Sequence, residues 1–151
     1  MPDGEAVDRL VDDAMATYRH DPERADLLFN VACTQLADPL PLYRVLYKFY
    51  NRQRRFDHAY EFASRALAEA GRQCGLPQDP LTWSPEALAA AEPLLASQCL
   101  LALKALSFIT LRRGDDAGSL NHLETLLRLD PEDGSGASVV AALAESVAEA
   151  G

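Results

Sequence analysis

The chain has little cysteine, few basic residues, no obvious catalytic grouping and no obvious membrane segment. Cysteines stand only at 33, 74 and 99 in 151 residues. An odd, widely spaced set excludes a disulfide framework and fits free thiols in a reducing cytosol. No apolar run is read as approaching the roughly 20 residues of a membrane helix. The opening MPDGEAVDRL is acidic and lacks an apolar centre, which predicts no signal peptide. Fourteen Lys and Arg against 23 Asp and Glu give a net charge of −9 and a pI near 4.7. That balance disfavours nucleic acid, whose affinity comes mostly from neutralised phosphates, and disfavours an anionic membrane surface.

Chemistry-bearing patterns are equally sparse. His20, His58 and His122 fall at turns or on polar helix sides, and no pair has metal-ligand spacing. Cys33 and Cys99 read as core residues, while Cys74, in a loop near Arg72, is the accessible one. Ser84 and Ser107 have no partnered His and Asp. Gly134-Ser135-Gly136 follows a helix, not a strand, so it is no phosphate loop. The expectation is a non-enzymatic protein with no cofactor and no metal.

What is present is helix. Spacings of i, i+3, i+4 and i+7 predict amphipathic helices throughout and no strand. The first covers residues 4–18, with Val7, Leu10, Val11, Ala14, Met15 and Tyr18 inward. Asp21 caps a second, opened by Pro22 and running to about Ala37. A third, about 41–53, buries Tyr43, Leu46, Tyr47 and Tyr50; a fourth, about 56–70, buries Ala59, Phe62, Ala63, Ala66 and Leu67 and stops at Gly71 and Gly75. A Gly- and Pro-rich loop over 71–84 leads to a short helix opened by Ser84 and Pro85, which Pro93 ends or kinks. A long helix over about 94–112 carries Leu100, Leu103, Leu106 and Leu111 inward. After Arg113-Gly114-Asp115, a helix over about 116–129 buries Leu120, Leu123, Leu126 and Leu127. A last helix, within about 135–150, bears Val139, Val140, Leu143 and Val147, with Glu145 and Glu149 facing water.

The helices repeat. Ala25-x3-Phe29-x2-Ala32 becomes Ala59-x3-Ala63-x2-Ala66 at an offset of 34, and Ser119-x3-Leu123-x2-Leu126 after a further 60. Tyr43, Leu46, Tyr47 and Tyr50 are answered 60 residues on by Leu103, Leu106, Ser107 and Thr110. This resembles the tetratricopeptide repeat (TPR) family, whose unit is about 34 residues. The fullest match is LSFITLRRGDDAGSLNHLETLLRLDPED, with Gly114 in the turn and Pro131 closing the unit. The resemblance implies one all-α, TPR-like domain over 1–151: helical hairpins at about 4–39, 40–70 and 97–133, an insertion at about 71–96, and a C-terminal capping helix. Small residues at Ala25, Ala59 and Ser119 let helices approach closely, and stacked pairs bury what one pair cannot.

Seven of the eleven aromatics lie between Leu40 and Ala70, and Pro39 to Phe56 holds five basic residues and no acid. The family resemblance implies that first helices line a concave, protein-binding groove. It would be floored by Arg44, Lys48, Asn51 and Arg52 in the middle unit, Lys104, Phe108 and Arg112 in the third, and Asp8 and Asp12 in the first. Lys and Arg supply charge-assisted hydrogen bonds to acidic or terminal carboxylates, and Asn anchors a peptide backbone. The alternative is that Arg44 and Lys48 pair with local acids such as Asp8 and Asp12. Trp83 either pins the insertion to the body or stands out as an anchor for a partner.

The resulting expectation is a cytoplasmic adaptor holding an acidic or extended protein segment, with no nucleic-acid or membrane partner and with self-association as a competing use of the open face. Alternative readings are a chaperone of a type III secretion system, also small, acidic and built of three such repeats, or an accessory factor of nitrogenase-type metalloenzyme maturation. The ending LDPEDGSGASVV is similar to small repeat proteins of nitrogen-fixing bacteria.

Overall fold

Helix after helix begins on a side chain that accepts a free backbone N–H. In the computed structural model, which describes residues 4–133 and 140–145, Asp21 accepts from Arg24 N at 3.1 Å, Ser84 from Ala87 N at 3.1 Å, and Asp115 from Gly118 N at 2.9 Å. Glu92 accepts from both Leu94 N and Leu95 N. Each satisfies a donor that the first helical turn leaves unpaired. The helices are α1 (Gly4–Tyr18), α2 (Pro22–Thr34), α3 (Leu40–Arg52), α4 (Phe56–Gln73), α5 (Pro85–Ala90), α6 (Pro93–Arg112) and α7 (Asp116–Leu129), with a 3-10 turn at Pro80–Thr82; α2, α5, α6 and α7 are the ones capped in this way. The protein is all-α: no strand occurs among the described residues.

Residues cluster into two compact units, Met1–Leu46 and Tyr47–Gly151, with the boundary inside α3. In the first, α1 packs on α2. Val7 and Ala14 meet a face of Ala25, Phe29, Ala32 and Cys33, all buried. In the second, α6 packs against both α4 and α7, with α5 touching α6 and α7. Its core joins Tyr50, Phe62, Ala63 and Ala66 with Leu103, Leu106, Ile109, Leu123 and Leu126. Tyr50 stacks on Phe62 with ring centres 5.6 Å apart. Ser119 Oγ donates to the Ser107 carbonyl at 2.6 Å, so small residues bring α6 and α7 close.

Several expectations need correction. Helix α2 ends at Thr34, short of Ala37, where Gln35 N–H closes a tighter turn onto the Ala32 carbonyl. Gly71 does not stop α4. It sits inside the helix because the Trp83 ring lies against it: a Cβ there would be 2.7 Å from Trp83 Cζ2. The helix runs on to Gln73 and is capped by Cys74, and Gly75 follows in the left-handed region at φ +73°. Pro93 does not end a helix but opens α6, behind its Glu92 cap. Leu120 and Leu127 are 51% and 43% exposed, because Ser119, Leu123 and Leu126 take the inward side of α7. Helix α6 is also long and apolar enough, by length and composition, to cross a membrane. Here it is a packed core helix with Cys99, Ala102, Leu103, Leu106 and Ile109 buried. Of the expected capping helix, residues 140–145 are helical and Val140 is buried; Val139, Val147 and Glu149 lie outside the described residues.

Candidate functional site

The basic residues of the second unit divide into two kinds. Arg112 and Arg113 are used internally. Arg112 Nη1 donates to Asn51 Oδ1 at 3.0 Å, and its guanidinium carbon lies 4.5 Å from the Phe56 ring centre and 5.5 Å from that of Phe108. Arg113 ion-pairs Asp57 at 3.0 Å and lies over the Tyr60 ring at 4.8 Å. A planar guanidinium that stacks on rings and donates at its edge suits this contact better than an ammonium would. The two arginines thus tie the α6–α7 turn to the α3–α4 turn.

The other kind is free. Lys48 and Arg52 are exposed and Lys104 is half-buried, and none has an ion-pair or hydrogen-bond partner among the described residues. Lys48 lies about 5 Å along α3 from Asn51, and Lys104 about 12 Å along α6 from Arg112, at 1.5 Å per residue. Asn51, Phe108 and Arg112 are therefore brought together, as a contact within the protein. Lys48, Arg52 and Lys104 remain available on the same two helices.

Arg44 belongs to the first unit and is described there. It is half-buried, its Nε is buried with no hydrogen-bond partner, and among the described residues no ion pair joins it to Asp8 or Asp12, which are exposed. The local pairing expected as the alternative is not formed. At the end of α3, Arg55 Nη2 lies 3.1 Å from His58 Nε2 and over Tyr50 at 5.3 Å. A guanidinium can only donate, so in this contact Nε2 is the acceptor.

Trp83 is 3% exposed and pins the loop between α4 and α5, so it presents no surface to a partner. Its Nε1 donates to the Pro77 carbonyl at 2.7 Å. Arg128 holds the same segment from α7, donating to the carbonyls of Trp83 at 2.5 Å, Leu81 at 3.3 Å and Pro80 at 3.4 Å. Sequence reasoning missed Arg128, Phe56 and the Asp57–Arg113 pair. The 60-residue offset, which lays the α6–α7 turn over the α3–α4 turn, was the one signal that places Arg112 and Arg113 beside Phe56 and Asp57.

Titration adds little chemistry. Burial holds the His122 imidazole below its ordinary value, against an opposing pull from the Asp115 carboxylate. Hydrogen bonding to Arg72 lowers the Glu69 carboxyl. Among the described residues no cluster of three or more His, Cys, Asp or Glu can hold a metal ion. Comparison with family models, curated proteins and solved structures gave no match to this chain.

Proposed function

We propose that the protein is a non-enzymatic scaffold of tetratricopeptide type that holds an acidic or extended protein segment against α3 and α6 of its second unit. One observation carries this reading. In a chain of net charge −9, Lys48, Arg52 and Lys104 make no ion pair or hydrogen bond among the described residues, while Arg112 and Arg113 each bond to a side chain of the protein. A cation left without an internal partner costs nothing in water and is ready to meet a carboxylate. The 60-residue repeat of the hairpin turn, matched bond for bond in the backbone, supports the repeat assignment. Arg112 then shapes the floor with Asn51 and Phe108, and the lysines supply the charge that selects a segment of opposite sign.

The test is a pull-down from native-host lysate, wild type beside Lys48→Glu/Lys104→Glu, read by mass spectrometry, with circular dichroism to show that the variant is folded. A partner retained by wild type should fall at least about tenfold in the variant, and wild-type retention should weaken with added salt. Equal retention by both proteins would refute the assignment to this surface.

A further inference from the structure

Cys74 and Cys99 stand 25 residues apart in sequence, yet their Sγ atoms are 3.9 Å apart. Cys74 caps the C-terminus of α4, where the insertion leaves the helix; Cys99 lies in the second turn of α6, just after the insertion ends. The thiols therefore face each other across the base of the same loop that Trp83 and Arg128 hold at its middle. Cys74 is partly exposed and Cys99 fully buried. The third thiol, Cys33, is buried in the first unit.

We propose that Cys74 and Cys99 are an oxidisable dithiol that closes into a disulfide across the base of the insertion. An S–S bond of about 2.05 Å needs the sulfurs to approach by about 1.9 Å. Cys74 can supply that movement, being partly exposed and beyond the last residue of α4, just before Gly75 at φ +73°. Hydrogen peroxide converts the Cys74 thiol to a sulfenic acid and leaves one water. The Cys99 thiolate attacks that sulfur, the S–S bond forms, and the departing hydroxide takes a proton to become a second water. Two thiols lose two electrons and two protons in all, and one peroxide becomes two waters. Cys99 is shielded from peroxide and acts as the resolving thiol. Burial raises both thiols above the ordinary cysteine range, which keeps thiolate scarce and makes closure a response to sustained oxidant. In a reducing compartment such a bond is transient and reports oxidant exposure.

The experiment uses the reduced full-length chain at low concentration. It is treated with millimolar hydrogen peroxide, quenched by alkylation in urea, and mapped by mass spectrometry. No Lys or Arg lies between Arg72 and Lys104, so one tryptic peptide carries both thiols; cleavage after Glu86 then separates them. The expected product is that peptide two hydrogens lighter and unalkylated, giving two fragments after Glu86 cleavage only on reduction, with Cys33 still alkylated. Closure should raise Tm by about 5 °C, reversibly with dithiothreitol. Cys33→Ser should leave the product intact and Cys74→Ser should abolish it. The wild-type map decides the matter even if a Cys99 variant does not fold. Cys74 driven to sulfinic acid with Cys99 still alkylated, a bond between two chains, or three alkylated thiols after prolonged oxidation would each overturn the proposal.

Discussion

Two helix-to-helix turns within the second unit, at 53–55 and 113–115, share one backbone with different chemistry. In α3–α4, the N–H groups of Gln53, Arg54 and Arg55 bond to the carbonyls of Phe49, Asn51 and Tyr50. Sixty residues on, those of Arg113, Gly114 and Asp115 bond to Ile109, Leu111 and Thr110. The left-handed position is Gly114 at φ +83° in one turn and Arg54 at φ +63° in the other. One core is aromatic, with Tyr50 stacked on both Phe62 and His58; the other is aliphatic with small hydroxyl residues set into it, Ser107, Thr110 and Ser119 bonding to carbonyls. Asp115 caps α7 through its side chain, whereas Arg55, in the same place before α4, makes no such bond. The backbone of a helical hairpin thus follows from turn geometry and apolar spacing, and the same turn tolerates side chains as different in size as Tyr50 and Thr110.

The comparison breaks most severely at positions 62 and 122, which are equivalent at the 60-residue offset. Phe62 is fully buried and His122 half-buried. Phe62→Ala should cost about 3–5 kcal/mol, seen as an earlier urea midpoint, against less than about 1 kcal/mol for His122→Ala. The turns come next. Gly114→Ala should cost about 1 kcal/mol through backbone strain, since its Cβ would meet nothing, while Arg54→Gly should be neutral or gain up to about 1 kcal/mol by removing that strain. Equal responses at the two turns would show that they are not the same structure.

The smallest effect is one of pH. Burial lowers the His122 value in the folded chain, so the unfolded chain takes up its proton first. The stabilisation is present above about pH 6.5 and is lost as pH falls through the folded value. His122→Phe, which makes the second hairpin like the first at this position, should flatten the fall of Tm as pH drops below about 6.5. An unchanged profile would mean that His122 is not the group responsible.

Much of this fold was legible along the chain. The limits of α1 and α7 and the Arg113-Gly114-Asp115 turn follow from local signals that act within a few residues: apolar spacing, side-chain caps and the glycine at a left-handed position. The surface was legible only in part. Lys48 and Lys104 could be placed on first helices by the repeat, but whether a cation is free depends on what lies opposite. Arg112 proved to be held by Asn51, Phe56 and Phe108, and Trp83 proved buried. Leu120 and Leu127 looked apolar enough for the core but lie just off the buried stripe, and a stripe's width is set by the neighbouring helix rather than by the residues themselves.

The sequence by itself determined that this protein is helical, where its hairpins turn, and that residues 39–56 carry five of its fourteen basic residues and no acid, because each of these depends on interactions over a few residues or on a count. Tertiary structure decided the rest. Packing placed Gly71 in mid-helix to admit an indole and set Arg128 against the insertion. It set two exposed arginines, Arg112 and Arg113, against side chains of α3 and α4 and left Lys48, Arg52 and Lys104 without a partner among the described residues. It also brought Cys74 to Cys99, because the distance across a 25-residue path depends on how the intervening chain is folded back.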